Sequence, residues 1–341
     1  MTMDLPTVWI GLIGLAVLLY VMLDGFDLGV GILFPFARSP ADRDLMMDSI
    51  APVWDGNETW LVLGGGGLLA AFPLAYAVLM PAFYIPITLM LLALILRGVA
   101  FEFRLRGRRR GTAFWTAAFA GGSTLAAVAQ GLVLGGFIQG VRVEHRAFAG
   151  GPFDWLTPYS LLIAAGVVAG YALLGACWLI WKTDDELHGD ARRWARISAG
   201  AVAALLAAVS LATLLLHPRV AARWGYADGG FDLAQLGPRL WIPALGAAGL
   251  AILALGLRRS RHGAPFVGAA LVFLSGYAGL AAGFFPYIVP YVLTYRQAAS
   301  ADNALALMLG GVAILLPAIV GYTVWVYWVF RGKVGADAGY H

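Results

Sequence analysis

The sequence predicts an all-α integral membrane protein with nine transmembrane helices, on three observations. Of its 341 residues, 61% are hydrophobic and only 12% charged, against about 25% charged in a soluble domain. The apolar residues gather into long segments, and a hydrocarbon layer of about 30 Å needs roughly 20 helical residues to cross it. The basic residues fall in short stretches between those segments and crowd onto alternate ones. The net charge of +4 therefore reflects membrane topology rather than a nucleic-acid-binding face.

Nine segments qualify as spans: 7–36, 51–73, 76–103, 113–141, 155–181, 195–217, 240–257, 264–292 and 304–330. The first has no Lys or Arg before Arg38 and so lacks the basic start of a cleaved signal; a retained helix is expected. The second opens on Asp55, Asn57 and Glu58 and meets the third at Phe72-Pro73 with almost no loop. The third carries Arg97 and runs into the Arg104–Arg110 cluster. The fifth holds Cys177, the single cysteine, which excludes a disulfide framework and a Cys-based metal site. The sixth and seventh are bounded by Arg196 and His217, and by Arg239 and Arg258. The eighth and ninth close the chain before Arg331 and Lys333. With no internal repeat and no soluble insertion, residues 1–341 read as a single polytopic membrane domain.

Placing the cations on this map gives an orientation. Arg38, Arg43, Arg104, Arg106, Arg108, Arg109, Arg110, Lys182, Arg192, Arg193, Arg196, Arg258, Arg259, Arg261, Arg331 and Lys333 make sixteen on one face. Arg142, Arg146, Arg219, Arg223, Arg239 and Arg296 make six on the other. The positive-inside rule then puts the N-terminus outside and the C-terminus in the cytoplasm of a bacterial inner membrane. Glycines four apart, at Gly25 and Gly29, Gly131 and Gly135, and Gly166 and Gly170, are expected at helix contacts. The Gly64–Gly67 run suits packing too, and also leaves room for a bound quinone or lipid.

A carboxylate at mid-membrane costs about 2.5–3.5 kcal/mol on insertion scales, so each one needs a reason to be there. Asp24 and Asp27 share a helix face, with Tyr20 one turn earlier; Asp55 and Glu58 share a face at the start of the second span. Arg97 lies about 10 Å inside the Arg104 cluster at 1.5 Å per residue. Two antiparallel neighbours carrying acids at graded depth can form a ladder, because a carboxylate in a low dielectric can hold and release a proton near neutral pH. On this reading Asp24 and Asp55 transfer protons, and Asp27, Glu58 and Arg97 form a supporting polar network. The plainer reading is a structural ion-pair network with Asp55 as a helix cap.

The five histidines, His145, His188, His217, His262 and His341, all fall in loops, at span ends or at the terminus. Buried haem irons usually take His, Met or Cys from within a helix. Met22, Met90 and Met308 are buried candidates but read as packing. No cofactor or metal is expected on this chain alone.

The stretches "LDGFDLGVGIL" at 23–33, "SIAPVWDGNETWL" at 49–61 and "RGVAFEFR" at 97–104 resemble subunit II of cytochrome bd-type quinol oxidases. Identity to those motifs is concentrated in the first 110 residues, while span count and loop length agree along the chain. The resemblance implies two four-helix bundles plus one peripheral helix, paired with a subunit I. That partner would carry haem b, haem b or d at the oxygen site, and the quinol site. A small single-helix subunit and membrane lipid are further candidate partners; nucleic acid is not. The complex would oxidise quinol and reduce dioxygen to water as an electrogenic terminal oxidase, taking protons from the cytoplasm. Subunit II would stabilise subunit I and contribute a proton route whose acids fall on Asp24 and Asp55. Glu58 stands where other members commonly have Gln. The alternatives are a proton-coupled secondary transporter, which usually shows inverted repeats, and a purely structural scaffold.

Overall fold

The computed structural model describes residues 4–106, 111–227, 229–259 and 262–334; Arg108, Arg109, Arg110 and Arg261 of the orientation argument lie outside them. Fourteen α-helices follow in order: α1 Leu5–Leu33, α2 Pro40–Asp48, α3 Trp54–Ala71, α4 Pro73–Ala82, α5 Tyr84–Arg106, α6 Thr112–Gln139 and α7 Pro158–Lys182, then α8 Asp185–Leu216, α9 Pro218–Arg223, α10 Leu233–Leu236, α11 Trp241–Arg258, α12 Ala264–Phe284, α13 Tyr295–Ala298 and α14 Asp302–Val329. Eight of them, α1, α5, α6, α7, α8, α11, α12 and α14, are long and apolar enough to cross a membrane. The expected second span is α3, which is helical for 18 residues but falls outside those eight. Asp55, Asn57 and Glu58 in its first turns lower its hydropathy.

Two expectations are corrected. The segment 76–103 is not one helix; it breaks at Phe83 between α4 and α5. Pro86 explains the break, because its ring would meet the Ala82 carbonyl one turn back and it has no N–H to donate. The segment 264–292 is helical only to Phe284. Pro286 bars Phe285 from the helical region, and the chain continues as the hairpin β5 Tyr287–Val289 with β6 Leu293–Thr294. The two earlier hairpins are β1 Val143–Glu144 with β2 Ala147–Phe148 and β3 Tyr226–Ala227 with β4 Gly230–Phe231. All three lie in connections at the end of the helix bundle where α1 begins, where short antiparallel pairs satisfy the backbone.

The packing centres on α1, which contacts α3, α6 and α7. Helices α5 and α6 form one antiparallel pair, α7 and α8 a second, and α11 and α12 a third, with α12 against α7. Glycine sets the closest approaches. A Cβ on Gly29 would overlap the Tyr171 carbonyl, and one on Gly175 would overlap the Gly29 backbone, so α1 and α7 touch main chain to main chain. Gly131 and Gly135 of α6 do the same against Ala164 and Ser160 of α7. A Cβ on Gly170 would meet the Phe273 ring at 2.7 Å, but one on Gly166 would face open space, so that last pair is only half engaged.

On the opposite side from the hairpins, α2 closes the end of the bundle. Ser39 and Asp42 form its capping box, and Arg104 reaches Asp44 at 2.7 Å from the end of α5. The segment after α14 returns to α7: Lys182 donates to the Phe330 and Gly332 carbonyls, and Val334 N–H donates to the Lys182 carbonyl at 2.8 Å. Lys333 pairs with Asp184, and that hydrogen bond holds the Asp184 carboxyl below its usual range.

Candidate functional site

Four charged residues expected from sequence meet in one cluster between α1, α3 and α5. Asp24 and Asp27, one turn apart on α1, are both fully buried, and Arg97 of α5 is 1% exposed. Arg97 Nη1 donates to Asp24 Oδ1 at 2.7 Å, Nη2 lies 3.9 Å from Asp27 Oδ2, and Nη1 lies 3.9 Å from Glu58 Oε2. The guanidinium also sits 5.9 Å from the Trp54 ring. Its position follows from the α5–α6 contact. Gly122 would meet the Ala93 carbonyl at 2.7 Å and the Arg97 backbone at 3.1 Å if it bore a Cβ, so glycine lets Arg97 stand inside the bundle.

Asn57 of α3 donates to Asp27 Oδ2 at 2.8 Å and accepts from the Tyr327 hydroxyl of α14 at 2.9 Å, which ties the last helix to the cluster. Tyr20 stands one turn before Asp24 on the same face of α1. The Tyr20 oxygen accepts from Gln130 Nε2 at 2.7 Å, and Gln130 Oε1 accepts from the Tyr171 hydroxyl at 2.6 Å. Three buried polar atoms of the cluster have no partner among the described residues: Asp24 Oδ2, Asp27 Oδ1 and Arg97 Nη2.

Glu58 is 28% exposed at its side chain and bridges the buried cluster to the surface. Asp55 is not in the cluster. It stands exposed in the first turn of α3, and Val53 rather than Asp55 is the N-cap, with no side-chain capping bond. A carboxylate there still favours the positive end of the helix dipole. Sequence reasoning named Asp24, Asp27, Glu58 and Arg97 but assigned no part to Gln130, Tyr171, Asn57 or Tyr327. Gln130 was detectable as an amide inside an apolar span, because such a group needs a partner there. The two tyrosines looked like the amphipathic residues common in membrane helices.

No cluster of three or more His, Cys, Asp or Glu that could hold a metal ion occurs among the described residues. His188 and His262 touch each other at a ring distance of 5.1 Å, and His217 stands against Tyr159 at 4.8 Å, both away from the charged cluster. Of the Gly64–Gly67 run, Gly64 and Gly67 face Val17 and Ile13 of α1, while Gly65 and Gly66 meet nothing. Beside it an apolar groove runs between α1, α3 and α14, lined by Trp9, Ile13, Trp60, Val312 and Leu316.

Known proteins resemble the chain along its length. The cytochrome bd-I ubiquinol oxidase subunit 2 of Escherichia coli K12 is 30% identical over 362 aligned positions, covering 96% of this chain and 94% of that protein. The cytochrome bd ubiquinol oxidase subunit 2 of Bacillus subtilis is 28% identical, covering 97% of each. The bd oxidase structure from Geobacillus thermodenitrificans shares the fold, with a TM-score of 0.76 at 18% identity over 97% of this chain and all of that one. The family model for cytochrome bd terminal oxidase subunit II matches residues 5–330, spanning every helix that builds the cluster, and the chain belongs to that family.

Proposed function

We propose that the chain carries protons from the cytoplasm toward the oxygen-reducing centre of a bd-type quinol oxidase and stabilises the haem-bearing subunit I. Subunit I would hold haem b, haem b or d at the oxygen site, and the quinol site. This chain would contribute its own helices as nine spans, in two four-helix bundles (α1, α3, α5, α6 and α7, α8, α11, α12) with α14 peripheral. Its N-terminus would lie outside and its C-terminus in the cytoplasm. The groove beside Gly65 and Gly66 would take a quinone or lipid tail, and a small single-helix subunit would be a further partner.

The observation that carries the proton reading is the burial of Asp24 against Arg97, with Glu58 partly exposed beside them. A proton entering at Asp55, at the exposed start of α3, would pass by Glu58 and water to Asp24. Arg97 would compensate the negative charge left whenever an acid of the cluster releases its proton. The scaffold reading draws on the same ion pair, since a buried pair can serve assembly alone. Family membership leaves the secondary-transporter reading without support.

Substitution separates the two. Asp24→Asn keeps shape and some hydrogen bonding but cannot ionise. The haem-loaded complex should assemble and consume oxygen at least about tenfold more slowly, the scale of losing a positioned proton-transfer group. Asp24→Glu should recover part of the rate, and Asp55→Asn should be milder, because water reaches an exposed entry residue. The measurement is quinol-dependent oxygen uptake per haem. Undiminished turnover in Asp24→Asn would end the proton reading, and loss of haem together with complex would favour the scaffold.

A further inference from the structure

We infer that Tyr171, Gln130 and Tyr20 form a one-way chain of hydrogen-bond donors that ends on Asp24 and positions that acid for proton transfer. The proposal rests on the proton-route reading above and adds three positioning residues to it. The Tyr171 hydroxyl of α7 donates to Gln130 Oε1 of α6, and Gln130 Nε2 donates to the Tyr20 oxygen of α1. Each donor therefore points toward α1. Tyr20 has accepted from Gln130, so its own O–H remains to be given away. Asp24 in turn has one oxygen on Arg97 and the other, Oδ2, without a donor. The orphan acceptor and the uncommitted O–H stand one helical turn apart on the same face of α1.

Two further observations support the direction of the chain. Were the Gln130 amide turned over, Tyr20 would have to donate to Gln130, and Asp24 Oδ2 would be left with no protein donor at all. The geometry is also fixed by backbone contact. Gly25 and Gly29 bring α1 onto Tyr171 so closely that a Cβ at Gly25 would lie 2.8 Å from its ring. Tyr171 is 1% exposed and stacks on Phe273 at 6.0 Å, and Tyr20 is 5% exposed. Three donors in series polarise one another in a low dielectric, so the last bond is stronger than an isolated one. Such a chain fixes the side-chain rotamer from which the proton moves.

The groups that face Asp24 come from every element around it: Asp27 and Tyr20 on α1, Glu58 on α3, Arg97 on α5, Gln130 on α6, Tyr171 on α7, and Tyr327 of α14 through Asn57. Of these, Tyr20, Gln130 and Tyr171 can be altered without changing the charge of the cluster. That makes them separable from the ion pair.

The test is the pH profile of quinol-dependent oxygen uptake per haem, in the assembled complex, for Tyr171→Phe, Gln130→Leu and Tyr20→Phe. Tyr171→Phe removes one oxygen from a ring that keeps its stacking partner, so assembly should be unaffected. A hydrogen bond donated to a carboxylate favours its charged form. The alkaline limb should therefore move upward by about one pH unit in Tyr20→Phe, the size of losing one hydrogen bond to a charged acceptor. Gln130→Leu should give a smaller shift and Tyr171→Phe the smallest. Wild-type profiles in all three overturn the proposal, as does a uniform fall in rate with no displacement of the limb. Asp24→Asn run alongside keeps the two ideas apart. If it abolishes turnover while the three variants keep the wild-type profile, the donor chain fails and the proton route stands. If Asp24→Asn turns over normally, the route itself fails.

Discussion

Replacing Arg97 by Gln removes the only cation among the described residues within 4 Å of Asp24, Asp27 and Glu58. The two aspartates are fully buried, so neither can recruit bulk water in compensation. Breaking a buried pair by deleting one partner typically destabilises by about 3–5 kcal/mol, because the remaining charge is stranded. Here two buried carboxylates are affected, which places the expected loss at the upper end of that range. Arg97→Lys keeps the charge but not the fork that contacts Asp24 through Nη1 while Nη2 lies toward Asp27. Its loss should be smaller, about 1–2 kcal/mol. The double variant Asp24→Asn with Arg97→Gln removes charge from both sides, and the coupling should return about 1–3 kcal/mol of the loss seen in Arg97→Gln. The assay is the unfolding free energy of the purified complex in mixed micelles, followed by size-exclusion elution. An Arg97→Gln complex within about 0.5 kcal/mol of the parent would refute the reasoning, as would strict additivity in the double variant.

Three further predictions concern packing, cofactors and topology. Gly29→Leu forces a side chain into the Tyr171 backbone, where overpacking costs about 1–3 kcal/mol or more; Gly166→Ala meets open space and should leave the same unfolding assay unchanged. Expressed without its partner and purified in detergent, the chain should show no haem bands in a reduced-minus-oxidised spectrum, and stoichiometric bands would sink that expectation. Cysteines at Gly111 and Gly332 should stay unlabelled by an impermeant thiol reagent in intact cells and react once the membrane is opened; labelling of either in intact cells would invert the proposed orientation.

Much of the architecture was legible because it depends on local chemistry. The run of apolar residues from 304 to 330 could only be a long helix, and Asp302–Val329 is one. Gly25 and Gly29 announced a close contact by spacing alone, and the Tyr171 and Gly175 backbones fill it. The misread segments share a cause. Over 76–103 and 264–292, hydropathy continues through Pro86 and Pro286, but the backbone cannot, because proline removes a donor and collides with the preceding turn. Weighing those prolines against the apolar run would have found both breaks.

By itself the sequence determined that the chain is a multi-pass membrane protein of long apolar helices, and that Asp24 and Asp27 share one face of α1 while Asp55 and Glu58 share one face of α3. The helical period guarantees those pairings within a helix. It says nothing about how a helix is turned about its axis toward its neighbours. Only the tertiary structure decided that Arg97 points at Asp24, that Asp55 stays outside the cluster, and that Tyr171 reaches Tyr20 through Gln130. Those choices are set by where glycine lets two backbones approach, at Gly29 against Tyr171 and at Gly122 against Arg97, and that is a property of pairs of helices rather than of any one of them.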